Sequence, residues 1–362
     1  MGRLDTAGRS TTSNLNSTIT NFSVTPKEVD GVENNKENHY DNEDFQENFA
    51  YYDEIPEYKT TINAFATWVL GKGWKADTNT QAILENISGM GEDTFTSILW
   101  NMIVIKKFHG DAYAEVVRND AHQIINLKPL NPARMRTIVN KQGLITGYEQ
   151  LDKPQGKRQG KRFNPTQIFH IMNDRVADSI RGNGITQGIK WVIDSRREAM
   201  EDWKRISHRS TIRVMYVDQD KPEKLTFLKG QYKDAIENGE VMILPSKKGE
   251  TGFEDLNLPP VEAFLQWIRY LEDVFYKAVG VPKIVLGGSA LPEGDSKVSF
   301  LSFEPVYIRE IEGLRMDLWN QLAIRVEFSP PVSLKDKVQE NEVKNSSQIG
   351  FQQNDAEAGV GE

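Results

Sequence analysis

Residues 261–278 read VEAFLQWIRYLEDVFYKA, and this stretch decides the fold. Val261, Phe264, Leu265, Ile268, Leu271, Val274, Phe275 and Ala278 recur at helical spacing and form one stripe. Trp267, Tyr270 and Tyr276 widen that stripe around the helix. A helix apolar over so much of its circumference is buried on several sides. The expectation is that neighbouring copies of the chain supply the burial, against Phe264, Trp267, Ile268, Leu271 and Phe275. Pro259-Pro260 immediately upstream suits the first turn of such a helix.

Further upstream, residues 211–258 form a small insert. It reads as a strand over Thr211–Val217, a helix over about Lys229–Glu237 and a strand over Glu240–Leu244. Fewer than about 50 residues rarely build a core that stands alone. Strand edges need partners, so the insert completes itself either against another copy or as a hairpin on its own domain. Before it runs a long helix, about Thr186–Ser210, roughly 35–40 Å in length. Its surface carries Arg196, Arg197, Glu198, Glu201, Asp202, Lys204, Arg205, His208 and Arg209. Gly182-Asn183-Gly184 breaks the chain ahead of it.

The segment before that break is β-rich, with strands near Asp111–Arg118, Gln123–Leu127, Arg134–Val139, Ile145–Gln150 and Ile168–Met172. Lys153 to Arg162 is a polar, basic loop. Two helices precede the strands, about Tyr58–Leu70 and Glu92–Phe108, the second striped by Phe95, Ile98, Leu99, Met102 and Ile105. The first 46 residues or so are rich in Ser, Thr, Asn and acids and poor in large apolar residues, a composition that predicts a disordered arm. Downstream of the opening stretch, Gly287 to Asp295 reads as a loop. A helix over about Val298–Arg325 follows, with Pro305 expected to kink it or mark its start. A last amphipathic stretch spans about Leu334–Ile349.

Composition removes several functions. With no cysteine among 362 residues, disulfides, thiolate metal sites and cysteine nucleophiles are absent. Five histidines, none paired at i, i+4, leave no helical zinc motif. No apolar run approaches the roughly 20 residues that span a bilayer, so no membrane association is expected. Gly71-Lys72-Gly73 lacks the spacing of a phosphate loop. His109-Gly110-Asp111 and His170 could suggest acid–base chemistry, but no nucleophile elbow accompanies them. No catalytic residue, cofactor or metal is expected. The net charge of −8 argues against tight sequence reading of DNA, though not against a protein that lets DNA slide.

Several segments, read in order, resemble the HK97-type phage portal family. Gly110-Asp111-Ala112-Tyr113 is similar to that family's start of its first hairpin. Leu127-Lys128-Pro129-Leu130-Asn131-Pro132-Ala133-Arg134-Met135 resembles its leucine–proline–leucine–proline–arginine strand, and Phe163-Asn164-Pro165-Thr166-Gln167-Ile168-Phe169-His170 its proline-then-isoleucine-histidine strand. Gly182-Asn183-Gly184-Ile185-Thr186 stands where the family begins its long helix. Val279-Gly280-Val281-Pro282-Lys283-Ile284-Val285-Leu286-Gly287 resembles the turn before its tunnel loop. Ser207-His208-Arg209-Ser210-Thr211 departs from the family's Asn-Gly and proline at the end of that helix.

The resemblance implies an α+β portal fold: an N-terminal arm (1–48), an α/β wing (49–184), stem helices (185–210 and 259–286), a β-α-β clip (211–258), a tunnel loop (287–297), a long kinked wing helix (298–328) and a small helical crown (329–362). It implies a homo-oligomeric ring, usually a dodecamer, at the portal vertex of a virion, assembled in the host cytoplasm. Its partners would be double-stranded viral DNA, the major capsid protein, the terminase and the head-to-tail adaptor. Ser289, Ala290, Leu291, Pro292, Glu293, Gly294, Asp295, Ser296 and Lys297 would form the tunnel loop around DNA. The cluster Lys204, Arg205, Arg209 and Arg213 would either face DNA or pair with acids of the next subunit. Another head–tail connector and, less favoured, a nucleotide-processing enzyme remain the alternatives.

Overall fold

The computed structural model describes residues 16–17, 20–21, 38–140, 142–154, 156, 160–208, 212–217, 223, 241–245, 253–256, 261–287 and 293–331. A short pair, β1 (Asn16–Ser17) and β2 (Thr20–Asn21), is followed by β3 (Asn38–Asp41), α1 (Phe45–Glu54), α2 (Pro56–Leu70), β4 (Trp74–Lys75), α3 (Thr78–Glu85) and α4 (Phe95–His109). Order therefore begins well before residue 49, where the composition had predicted only an arm. The reason is local: β3 is an edge strand whose backbone pairs with β7 (Met135–Val139), so it needs hydrogen bonds and not apolar side chains. The Arg136 guanidinium fixes it further, donating to both oxygens of Asp41 at 2.5 and 3.0 Å.

Pro56 occupies the first turn of α2, and Thr94 caps α4 through a reciprocal pair with Ser97. The buried stripes of α2 (Tyr58, Ile62, Phe65, Val69) and α4 (Phe95, Ile98, Leu99, Met102) share one core. Two sheets follow. In the first, β5 (Asp111–Arg118) lies between β6 (Ile124–Leu130) and β10 (Ile168–Met172). In the second, β3, β7, β8 (Ile145–Gln150) and β9 (Lys161–Phe163) lie in that order, all antiparallel. Tyr113, Leu130, Met135, Tyr148, Phe163 and Ile168 form a second core joining them.

Beyond the wing, α5 (Ile185–His208) leads to the sheet of the insert. There β11 (Ile212–Val217) pairs in parallel with β12 (Val241–Pro245) and antiparallel with β13 (Phe253–Leu256). A parallel pair cannot be joined by a tight hairpin, so a longer connection links its strands. The helix expected over Lys229–Glu237 lies outside the described residues. β13 was not anticipated, and it makes β11 a central strand whose two edges are filled within the chain.

The return helix α6 (Val261–Val279) runs antiparallel to α5: Trp203 stacks on Phe264 at 5.4 Å at one end, while Val192 and Phe275 line one groove at the other. The last long helix, α7 (Glu293–Leu322), starts five residues earlier than expected and continues through Pro305. Glu293–Lys297 is thus helical, a correction to the loop assigned there. β14 (Glu327–Phe328) then pairs with β4. The amphipathic stretch expected over Leu334–Ile349 lies outside the described residues. No helix of the described residues is long and apolar enough to cross a membrane.

Candidate functional site

The wing meets the stem at three glycines. A Cβ on Gly184 would lie 2.4 Å from the carbonyl oxygen of Phe108, and one on Gly182 would lie 2.2 Å from that of Gly110. Gly110 itself closes α4 at φ 116°, a region closed to most side chains. The resulting backbone contact is held by Asn173. Its amide donates to the Gly110 carbonyl at 2.8 Å, and its side chain donates to the Asn183 carbonyl at 2.7 Å. Asp111 accepts from the amide of Gly182 at 3.1 Å and pairs with His170 Nε2 at 2.9 Å. His170 Nδ1 reaches the Tyr148 hydroxyl at 3.1 Å, and its ring stacks on Tyr113 at 4.3 Å. Thr186 Oγ1 donates to the Phe108 carbonyl and meets the Tyr58 hydroxyl at 2.8 Å.

The partner of Asp111 is therefore His170 and not its sequence neighbour His109. Asp111 and His170 are 1 % and 3 % exposed, so the pair is a buried link between β5, β10 and the segment that leads into α5. His109 instead packs edge-on against Phe45 and accepts from Asn48 at 3.2 Å. Burial pushes its pKa down to about 4, against the pull of Asp111 and Asp44. Sequence reasoning missed Asn173, Asn48 and Gln321, since single amides in otherwise ordinary segments carry no pattern. Gln321 reaches from α7 to the edge strand β10, accepting from the amide of His170 at 2.9 Å and donating to its carbonyl at 2.7 Å. Lys106 and Glu310 add a largely buried ion pair between α4 and α7.

The stem hairpin divides the expected interface residues. Leu271 and Phe275 are 0 % and 2 % exposed, buried in the chain's own core with Tyr58, Ile189 and Val192. They are withdrawn from any surface, because the wing end of the hairpin packs on α2 and α4. Phe264 and Ile268 are half-buried, and Trp267 is 39 % exposed. Trp267 stacks on Tyr270 at 5.6 Å, and Tyr270, Leu265, Trp191 and Met200 are also exposed on the two helices of the hairpin. A groove of about 460 Å³ lies between α1 and the stem, floored by Ala50, Ile55, Val192, Ile193 and Phe275 and edged by Met200. Lys204 is exposed near the end of α5, which also carries Arg205; Arg213 is on β11, opposite Val241 and Asp255. Arg209 and Ser289–Pro292 lie outside the described residues.

A mixed helix-and-sheet body joined through glycine contacts to a two-helix hairpin, with a small sheet inserted between the two helices and a long last helix packed back on the body, is the architecture of a portal-type fold. The chain belongs to the phage portal protein family, whose model matches residues 90–293. No curated protein matches it. Among solved structures, a chain in the neck of a native gene transfer agent particle, computed with C12 symmetry, is 16 % identical with a TM-score of 0.60, covering 88 % of this chain and 92 % of that one. A chain of the native gene transfer agent virion is 18 % identical, TM-score 0.58, with 88 % and 91 % covered. An HK97 family phage portal protein from Corynebacterium diphtheriae is 12 % identical, TM-score 0.53, with 76 % and 94 % covered. At these identities the likeness is one of fold.

Proposed function

We propose that copies of this chain assemble head to tail into a twelvefold ring at the vertex of a viral particle, whose bore passes double-stranded DNA during packaging and ejection. Family membership supports the vertex role, and the C12 symmetry of the similar gene transfer agent neck supports the copy number. The observation that carries the reading is the asymmetry of the stem. At 100° per residue, Trp191 lies about 200° around α5 from Ile193 and so turns away from the groove. On α6, Trp267 and Tyr270 border the buried Leu271–Phe275 stripe on one flank, and Leu265 borders it on the other. Because the helices are antiparallel, Trp191 shares a flank with Trp267 and Tyr270. One flank is an aromatic ridge; the other holds the groove. Unlike surfaces pair head to tail, and such pairing closes into a ring when the rotation allows it.

In this reading Gly287–Lys297 narrows the bore, with its second half anchored as the first turns of α7. The sheet of β11, β12 and β13 docks the terminase and later the adaptor, while the wing meets the major capsid protein. The role is structural, with ATP hydrolysis left to the terminase. Lys204, Arg205, Arg209 and Arg213 serve best as partners for acids of the next copy. The double variant Trp267→Ala/Tyr270→Ala tests the ridge. Aromatic anchors dominate interfaces, each worth about 2 kcal/mol or more. Mass photometry should find monomers and small oligomers where the parent forms rings, with an unchanged circular dichroism spectrum. An unaltered ring population would refute the ridge.

A further inference from the structure

We propose that the cleft between the loop after β10 and helix α7 binds a phosphate group. The cleft has a volume of about 330 Å³. Its charged walls are Lys106 of α4, Asp174 and Arg175 of the loop, and Arg309 and Glu310 of α7. Lys107 stands close enough for Lys106, Asp174, Arg309 and Glu310 all to act on its charge. Four cations thus meet two acids, in a chain that carries 52 acids against 44 bases. Both acids are already engaged: Glu310 pairs with Lys106, and Asp174 accepts from Asn173 Nδ2 at 3.2 Å. Lys107, Arg175 and Arg309 form no ion pair among the described residues. Lys107 is half-buried, with its ammonium 4.5 Å from the centre of the Phe65 ring.

Exposed arginines by themselves make only a solvated surface, and two further observations set this cleft apart. Arg175 is held in place: its Nε donates to the Ser179 carbonyl at 2.6 Å, and the Ser179 amide donates to the Val176 carbonyl at 3.0 Å. Its terminal nitrogens are left for an acceptor from outside. The second observation is Gly313, which lines the cleft from the interior of α7. Glycine there costs helix stability relative to alanine. A Cβ at this position would meet nothing within 4 Å, so the chain's own packing does not call for glycine. The missing side chain instead leaves room for a group approaching the helix closely. Guanidinium forks match the oxygens of a phosphate. A phosphate monoester carries about −1.5 to −2 charges at pH 7, which balances an excess of two cations.

The test is thermal unfolding of the full-length protein in a series of sodium phosphate, against sodium chloride at equal ionic strength. The expected result is a midpoint that rises with phosphate and saturates, as for any ligand that binds only the folded chain. Arg175→Gln/Arg309→Gln should weaken the apparent affinity by about tenfold or more, the effect of losing hydrogen bonds to a charged group. Arg309→Gln alone leaves the hydrogen bonds of the loop in place and should weaken it in the same direction. Gly313→Ala should raise the midpoint in chloride yet bind phosphate less well. A labelled 20-base-pair duplex, followed by fluorescence anisotropy, identifies the source of the phosphate. Duplex displaced by phosphate, with the same dependence on the two arginines, assigns the cleft to a nucleic-acid backbone; phosphate binding without duplex binding assigns it to a free phosphate. No rise beyond that in chloride, or an equal rise in the double variant, overturns the proposal. So does sodium glutamate acting as strongly as phosphate, which would make the cleft a seat for protein carboxylates.

Discussion

At the end of α4, His109 is enclosed by Phe45, Asn48 and the start of the stem, and that burial decides its chemistry. Its pKa in the fold is about 4, against about 6.5 for a free imidazole. Between those values the unfolded chain binds the proton that the folded chain refuses. The contribution is therefore fully present above about pH 6.5 and is lost as pH falls towards 4. It amounts to a quantity on the order of 3 kcal/mol. His109→Gln cannot protonate, so its urea midpoint should fall less than the parent's between pH 7 and pH 4.5; an equal fall in both would contradict the assignment. At this scale the sequence was partly legible. Gly110, Gly182 and Gly184 were visible as punctuation, but their contact was not, because it pairs positions more than 70 residues apart. Neither was the choice of His170 over His109 as partner of Asp111, which follows from the antiparallel register placing His170 beside Tyr113.

The helices show what periodicity can and cannot say. The stripe of α6 is real, yet its apolar surface has two destinations. Leu271, Phe275 and Val279 pack against the chain's own α2, α4 and α5, whereas Leu265, Trp267 and Tyr270 stay exposed. Hydrophobic spacing reports that a face is buried and is silent on which molecule buries it. The two groups should respond differently to truncation. Phe275→Ala removes a ring touching Tyr58 and Tyr276 and should cost about 3–5 kcal/mol of fold stability, lowering the thermal midpoint of the unassembled chain. A loss below about 1 kcal/mol would show that the hairpin does not pack on the wing as described. For α7, Gly294 reads as loop in the sequence although it lies in the first turn of the helix, and Pro305, expected to kink the helix or mark its start, lies well inside it. β3 escaped notice for the opposite reason: a polar edge strand has no hydrophobic pattern, and its stability comes from backbone pairing with β7 and from Arg136.

For the molecule as a whole, the family was legible from five short motifs and the helices between them, and the family match covers that same region. What the sequence could not supply was the direction in which each surface faces. The two unlike flanks of the stem emerge only when α5 and α6 are set antiparallel and both are seated on α1, α2 and α4. Head-to-tail closure is the central claim, and a chain without native cysteine lends itself to a direct measurement. In the double variant Glu54→Cys/Tyr270→Cys, one thiol sits at the groove and the other on the ridge. Treatment with a bismaleimide of about 10 Å reach, followed by denaturing electrophoresis, should give a ladder of covalent species rising one subunit at a time to the full ring, with neither single variant passing beyond a dimer. Products that stop at the dimer in the double variant as well, or a chain that remains monomeric at assembly concentrations, would contradict the account.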